Sequence, residues 1–333
     1  MLVRFTYLLL IFSILSGCGQ TRKSNVKVLK LAHSLNMSHP VHKGMAFMAE
    51  RVEEYSHGKL KIDIYPSGQL GNERELLELL QIGSLTMTKV SVAVMENFAP
   101  DYKVFGLPYL FQDKQHLYKV LDGPIGEQML ADGRQYRLLG LCFYDAGSRS
   151  FYTTEKKIQT PEDLKGLKIR VMKSNSAVNM VNALNGAPTP ISFGELYSAL
   201  QQGVVDGAEN NPPSFYSSRH YEVCKYYTLD EHTTIPDVLL VSTVWWDALS
   251  DEEKQWLRKA AQESVVYQRK LWADSEQESL EAVKAAGVEV IYPDKSKFNE
   301  QVQSVYSDYE TDARMSELID HIHALGQKQK ENL

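Results

Sequence analysis

Two arginines lie in or next to segments that are predicted to be buried. Arg149 follows a predicted strand in the segment GSRSFY, and Arg170 lies inside a short apolar strand in the segment GLKIRV. Burying an unpaired guanidinium costs several kcal/mol, so each arginine is expected to meet an anion. The planar guanidinium fits a carboxylate through two parallel hydrogen bonds. That carboxylate belongs either to a bound organic acid or to an Asp or Glu of the protein, and from the residues alone the internal pair is the simpler explanation.

Three further ionisable side chains fall near predicted strand ends or helix starts. His33 follows the first strand, Glu73 opens a helix after a QLG turn, and Lys89 lies near the end of a third strand. An open α/β sheet presents polar groups to a ligand at such positions. For each residue, a place on the rim or a structural partner within the protein is the alternative.

No catalytic or cofactor motif accompanies these residues. The sequence contains no GxxxxGK[ST] loop, no GxGxxG after a strand, no GxSxG elbow, and neither HExxH nor CxxC. We therefore expect no cofactor and no metal site. Asp and Glu number 42 against 36 Lys and Arg, giving a formal net charge of -6. This acidic balance argues against a nucleic-acid partner, since neutralising phosphates needs a surplus of basic side chains.

The elements that must position these groups alternate between strand and helix. In the first half, strands are predicted at 26–32 and 60–64, and helices at 41–55 and 76–80, with Gly83 as a left-handed C-terminal cap. In the second half, strands are predicted at 138–144, 168–171 and 204–208. The helices there begin at capping sequences around Thr160 and Ser192. This alternation indicates an α/β fold.

A long predicted helix decides the architecture. A capping box formed by Ser250 and Glu253 begins helix-compatible sequence that runs from Asp251 to Ala286. A straight helix of that length spans ~54 Å, more than one lobe of half this chain. It therefore braces both lobes or breaks near Asp274. A chain of 333 residues with 43% hydrophobic composition also favours two lobes. Together these features predict a two-lobed clamshell.

The first residues resemble an export signal with a lipid anchor. An apolar stretch follows Arg4 and ends in Ser16, Gly17 and Cys18, which resembles a bacterial lipobox. We expect cleavage after residue 17, acylation of Cys18, a tether over 18–25 and a net charge of -7 afterwards. No apolar run is long enough to span a bilayer. Whether the remaining Cys142 and Cys224 form a disulfide stays open.

Several segments, in this order, resemble the extracytoplasmic solute-binding proteins of tripartite ATP-independent periplasmic (TRAP) transporters. They are QLGNE (69–73), TPEDLKGLKIRV (160–171), GAPTP (186–190), ELYSALQQG (195–203) and VDGAEN (205–210). The resemblance covers the chain from residue 26. It implies a two-domain α/β protein that is not an enzyme, binds a small organic anion in its cleft and hands it to a membrane permease.

The resemblance also assigns residues. It places the family's carboxylate-binding arginine on Arg170, a second basic residue on Arg149, a polar partner of the carboxylate on Asn210, and an aromatic ligand contact on Phe193. Where the family usually has DGQEN, this chain has Ala208 in place of the Gln.

The predicted ligand is a hexuronate, glucuronate or galacturonate. His33, Glu73 and Lys89 suit a ligand with several hydroxyls, and the charge of Glu73 would repel a second carboxylate. The stretches GSRSFY, PTPISFGELY and DGAENNPPSF resemble the sugar-acid branch of the family. The alternatives are a C4-dicarboxylate, an aldonate or a sialic acid in the same fold, or an exported sugar-acid enzyme.

The predicted boundaries follow the strands. We expect a signal peptide at 1–17 and a tether at 18–25. The first domain is predicted at 26–146 plus 236–275, and the second at 147–235 plus 276–333.

Overall fold

Two β-sheets, each covered by helices, form the body of the protein. A computed structural model describes residues 26–330. The first sheet has five strands in the order β2-β1-β3-β10-β4, and the second has six in the order β11-β9-β5-β8-β6-β7. The strands are β1 (Lys27–Ala32), β2 (Leu60–Tyr65), β3 (Met87–Ser91), β4 (Leu138–Tyr144), β5 (Ser148–Thr153), β6 (Lys168–Val171), β7 (Ala187–Pro190), β8 (Gly207–Asn210), β9 (Tyr226–Thr234), β10 (Asp237–Ser242) and β11 (Glu289–Ile291).

Helices connect most of these strands, and short 3-10 turns occur in addition. The helices are α1 (Pro40–Tyr55), α2 (Glu73–Gln81), α3 (Val92–Met95), α4 (Lys114–Leu121), α5 (Pro124–Asp132), α6 (Asn175–Ala183), α7 (Leu196–Gln201), α8 (Pro212–Ser217), α9 (Thr243–Ala248), α10 (Asp251–Ala285), α11 (Lys295–Gln301), α12 (Ser304–Glu310) and α13 (Ala313–Lys330). The predicted α/β class with two lobes is confirmed. Among the described residues, no helix combines the length and apolarity needed to cross a bilayer.

Each sheet contains a trio of parallel strands whose carboxyl ends meet at the cleft. In the first sheet β1 pairs in parallel with β2 and β3, and in the second β6 pairs in parallel with β7 and β8. Helix α2 is capped at its N-terminus by Asn72, whose side chain forms a capping box with Glu75, and Gly83 adopts φ +77 beyond the end of the helix. The predicted left-handed glycine is therefore confirmed.

Two sequence predictions differ from the structure in detail. The side chain of Ser192 makes no capping hydrogen bond, because a 3-10 turn (Phe193–Glu195) precedes helix α7. The strand predicted at 204–208 lies later, at Gly207–Asn210, since Gly203 with φ +68 and a turn occupy the preceding residues. Strand β8 also lies inside the sheet, between β5 and β6.

Helix α10 runs unbroken for 35 residues and contributes to both cores. Its first part places Leu257 and Trp272 in the core against β1 and β4, while Val283 near its end packs with the core of the second sheet. The capping box of Ser250 and Glu253 is present as predicted. The break considered near Asp274 does not occur, so the helix braces both halves.

The last helix contacts the first-sheet side. The carbonyl of Ile322 in α13 lies 2.7 Å from the ring Nε2 of His116 in α4, and Met315 and Ile322 are buried in the same core as Leu117. The predicted assignment of 276–333 to the second domain did not anticipate these contacts. They follow from the apolar face that α13 presents to α4. The domain boundaries themselves stay a prediction.

Cys142 and Cys224 are both buried and free. Burial raises the pKa of the Cys142 thiol to about 12, so neither a disulfide nor a reactive thiolate is indicated there. The predicted signal peptide at 1–17, the predicted tether at 18–25 and the predicted acylation site Cys18 lie outside the described residues.

Candidate functional site

A cavity of about 270 Å³ lies between the two sheets. Residues that follow the carboxyl ends of the parallel strands line it, as expected for an open α/β sheet. These are Ser34 and Leu35 after β1, Ser67 and Gly68 after β2, Met172 and Lys173 after β6, Ile191 after β7 and Asn211 after β8. Of the predicted site residues, Arg170, Arg149, Asn210, Glu73, Lys89 and Phe193 line this cavity and His33 does not.

Arg170 is held in place but not neutralised. Its Nε donates to the carbonyl of Ile191 over 2.8 Å, while its buried Nη1 has no hydrogen-bond partner among residues 26–330. The side chain is 1% exposed. Burial lowers the pKa of Arg170 below its ordinary value, and the nearby Arg149 adds to this effect. A buried guanidinium with an unused donor requires an anion, and the cavity is where one can bind.

Phe193 lies beside this arginine. The guanidinium carbon of Arg170 is 5.9 Å from the centre of the Phe193 ring, within the range of a cation–π contact. The ring also packs edge-to-face with His220, at 5.7 Å between centroids. Phe193 therefore offers an apolar face to a ligand and supports the position of Arg170.

Arg149 is occupied by the protein's own carboxylate. Its Nε and Nη2 both donate to the carboxylate of Glu209, and Nη2 also donates to the Glu209 carbonyl over 2.7 Å. Its Nη1 donates to Oδ1 of Asn210 over 2.8 Å. Four of the five N–H donors of Arg149 are thus used within the protein. Arg149 lines the cavity, yet it offers a ligand at most one N–H, so the predicted two-bond grip is left to Arg170.

The same network orients Asn210. Its Oδ1 accepts hydrogen bonds from Arg149 and from the backbone N–H of Asn211, the latter over 2.9 Å. Because the amide oxygen is used in this way, the amide nitrogen of Asn210 is available as a donor. An anion bound at Arg170 can therefore accept a further hydrogen bond from the neutral amide group of Asn210, at the end of β8.

A buried histidine completes the charge balance behind Arg149. The Nδ1 of His232 lies 2.7 Å from Oδ2 of Asp230, and its Nε2 lies 3.7 Å from Oε2 of Glu209. Burial opposes the charge on His232, but Asp230 and Glu209 outweigh it and raise its pKa to about 9. Burial likewise disfavours ionised Glu209, but Arg149 and His232 lower its pKa to about 2. Burial raises the pKa of Asp230, and the charge of His232 opposes this rise. With all four groups ionised, two cations and two anions balance within this network.

At another part of the cavity wall, one lysine lies between two carboxylates. The Nζ of Lys89 is 3.1 Å from Asp237 and 3.3 Å from Glu73, and Lys89 is 2% exposed. Burial opposes the charge of Lys89, but Asp237 and Glu73 outweigh it, so its pKa lies above the ordinary value. Burial raises the pKa of Asp237 above its ordinary value, and the charge of Lys89 opposes this rise. With all three groups ionised, this cluster carries one net negative charge and presents several hydrogen-bond acceptors.

His33 does not reach the cavity. Its Nδ1 accepts the backbone N–H of Leu35 over 3.1 Å, and its Nε2 lies 3.0 Å from Nδ1 of His42. Burial, followed by the charge of Lys89, lowers the pKa of His33 to about 2, so the ring is neutral. Both ring nitrogens are used within the protein, and the expected ligand contact is replaced by a structural role.

Three polar residues of the cavity lining that sequence reasoning missed are Asp237, His39 and Ser214. Asp237 begins β10 and pairs with Lys89, while His39 and Ser214 line the cavity opposite one another, 3.2 Å apart. The only local signal for Asp237 is an acidic residue at the start of the apolar run VLLVS. His39 precedes Pro40 at the start of α1. In the sequence, this pattern predicts the start of a helix and gives no indication of a ligand contact.

The chain matches known solute-binding proteins over most of its length. The model of bacterial extracellular solute-binding protein, family 7 (DctP), matches residues 31–312. The C4-dicarboxylate-binding periplasmic protein DctP of Rhodobacter capsulatus is 34% identical over 78% of this chain and 78% of its own.

Solved structures give the same result. A TRAP periplasmic solute-binding protein of Xanthobacter autotrophicus Py2 with bound β-D-galacturonate is 41% identical, with a TM-score of 0.86 over 89% of this chain and 99% of its own. One from Pseudomonas putida F1 with bound D-glucuronate is 37% identical, with a TM-score of 0.86 over 89% and 97% of the two chains.

Proposed function

The chain belongs to family 7 of the bacterial extracellular solute-binding proteins and is the solute-binding protein of a TRAP transporter, and we propose that its ligand is a hexuronate such as D-galacturonate or D-glucuronate. Family members bind solutes for transporters and are not enzymes. The ligand carboxylate binds at Arg170 and Asn210. The hydroxyls of the ligand face Glu73, Lys89 and Asp237. The loaded protein delivers the acid to the membrane permease.

The Nη1 of Arg170, which has no hydrogen-bond partner among the described residues, is the observation that carries this proposal. The other two buried cations of the cavity wall each have a carboxylate of the protein beside them, since Arg149 pairs with Glu209 and Lys89 with Glu73 and Asp237. One uncompensated guanidinium calls for one carboxylate on the ligand. In a water-excluded cleft, such a charge-assisted pair is stronger than in solvent.

The cluster around Lys89 supports a ligand that ends in hydroxyls. Its net charge of minus one would repel a second carboxylate, whereas sugar hydroxyls can donate to Glu73 and Asp237 and accept from Lys89. A hexuronate has one carboxylate and several hydroxyls, and the solved relatives with bound galacturonate and glucuronate support the same class.

A binding panel tests the ligand class. Isothermal titration calorimetry would compare D-galacturonate and D-glucuronate with galactarate, galactonate, succinate and N-acetylneuraminate. We expect the uronates to bind most tightly, galactarate to bind at least tenfold more weakly, and succinate to show no heat. Tighter binding of succinate or galactarate than of either uronate would overturn the proposal.

A matched variant tests the role of the negative cluster. Glu73→Gln removes one charge with little change in shape, so repulsion of a second carboxylate falls. We expect galacturonate affinity to decrease and galactarate affinity to rise relative to it. The control is Glu127→Gln, at an exposed residue in the first turn of helix α5 and outside the cavity lining, which should leave both affinities unchanged.

The lipid anchor belongs to this proposal as well. The lipobox-like sequence ending in Cys18 supports export and acylation, which would tether the protein to a membrane. Detergent phase partitioning of the expressed full chain tests this, and Cys18→Ala should move the protein from the detergent phase to the aqueous phase. Unchanged partitioning would remove the anchor from the proposal.

A further inference from the structure

His39 and Ser214 form a hydrogen bond that joins the two sides of the cleft. His39 precedes α1 on the first-sheet side, and Ser214 lies in α8, which follows β8 of the second sheet. The Nε2 of His39 is 3.2 Å from Oγ of Ser214, and both residues line the cavity and are buried.

The direction of this hydrogen bond follows from the cap of helix α1. The Nδ1 of His39 accepts the backbone N–H of Val41 over 3.2 Å and therefore carries no proton. A neutral imidazole with an unprotonated Nδ1 carries its proton on Nε2. Hence His39 donates, and the oxygen of Ser214 accepts. Burial, followed by the charge of Lys89, lowers the pKa of His39 to about 3, which agrees with a neutral ring.

The proton of the Ser214 hydroxyl is then left for another partner. The backbone N–H of Ser214 donates to Oδ1 of Asn211, and the hydroxyl has no second hydrogen bond to any of residues 26–330. A buried O–H donor without an acceptor costs free energy, so an acceptor in the cavity would satisfy it.

We propose that Ser214 is a ligand-contacting residue that donates its O–H to a hydroxyl or ring oxygen of the bound sugar acid, with His39 as the positioning residue that fixes this donor. The inference rests on the proposed uronate ligand and deepens it. The ligand contact then depends on residues from both sides of the cleft. Ser214 recognises an oxygen of the sugar and not the carboxylate, which binds at Arg170.

Calorimetry with D-galacturonate tests the contact. Ser214→Ala removes the donor, and we expect a roughly two- to twelvefold loss of affinity, the range of a neutral hydrogen bond. Ser214→Thr keeps the hydroxyl and should lose less than Ser214→Ala. Ser218→Ala, at the end of the same helix and outside the cavity lining, is the matched control and should bind as the wild type does.

A double-mutant cycle tests the positioning role. His39→Asn keeps an acceptor for the cap of α1 but is too short to donate to Ser214. We expect Ser214→Ala to cost less in the His39→Asn background than in the wild type, because the fixed donor is already lost. Strictly additive effects would overturn the role of His39.

The two levels of the proposal fail in different ways. If the wild-type protein binds no uronate, the proposed ligand class is wrong. Wild-type uronate binding together with an unchanged affinity of Ser214→Ala would overturn only the Ser214 contact. Melting temperatures measured without ligand confirm that each variant is folded.

Discussion

Replacing Arg170 by lysine separates the charge of the site from its geometry. The lysine retains a positive charge, but it cannot present two parallel N–H donors to a carboxylate. It also cannot reproduce the Nε hydrogen bond to the carbonyl of Ile191, which fixes the orientation of the guanidinium. We therefore expect Arg170→Lys to lose most of the affinity for D-galacturonate.

The magnitude follows from the hydrogen bonds that are lost. One charge-assisted hydrogen bond contributes about 1.5–3 kcal/mol, so the loss of one bond of the fork predicts a decrease of roughly 10- to 150-fold. The stability of the ligand-free protein should change little. The lost bond to Ile191 is offset by removal of the buried Nη1 that has no partner among the described residues.

Calorimetry and thermal unfolding measure the two quantities separately. Arg219→Lys is the matched control, because Arg219 is 73% exposed and pairs loosely with Glu222 at 3.7 Å. This control should bind galacturonate within twofold of the wild type. A folded Arg170→Lys protein with an affinity within threefold of the wild type would remove Arg170 from the site.

Three further predictions concern stability. Lys89→Met leaves the buried Asp237 and the half-buried Glu73 without their shared cation, and we expect a loss of about 3 kcal/mol in urea unfolding at pH 7; a loss below 1 kcal/mol would contradict the charge assignment. The folded-state pKa of His232 lies above its ordinary value, so its contribution is full below pH 6.5 and is lost as the pH rises towards 9. Urea midpoints should therefore fall less from pH 6 to pH 9 in His232→Gln than in the wild type, and equal falls would count against a charged His232. Gly147 has φ +59, and an added Cβ would lie 2.9 Å from Nε1 of Trp272; Gly147→Ala should lower the melting temperature by several degrees, and an unchanged value would refute the strain.

Local sequence patterns predicted the elements that carry the site. The strand of Arg170, the helix start at Glu73 and the capping box that begins α10 are all set by residues a few positions apart. Such patterns depend on backbone geometry and apolar periodicity, which a single sequence displays directly. The resemblance to the TRAP family then selected Arg170 and Asn210 as cavity residues, and both line the cavity.

The partners of the charged residues could not be predicted in the same way. Glu209 meets Arg149 because β5 and β8 pair with a register that places Phe151 opposite Glu209, and nothing local in the sequence specifies that register. Asp237 reaches Lys89 because β10 pairs antiparallel with β3, some 150 residues away along the chain. These pairings are properties of the tertiary fold.

The unbroken helix α10 limits how the cleft can open. Its early residues are fixed in one core and its last turns in the other, and its backbone cannot lengthen without breaking hydrogen bonds. The two halves can therefore turn relative to each other but cannot slide apart. The chain also crosses between the two sheets at 145–147 and 235–236, so a rotation of one half against the other would take place at these segments. If a bound acid changes the angle between the two halves, this angle is the main difference between the loaded and the empty protein. A membrane partner that contacts both halves can then distinguish the two states by it.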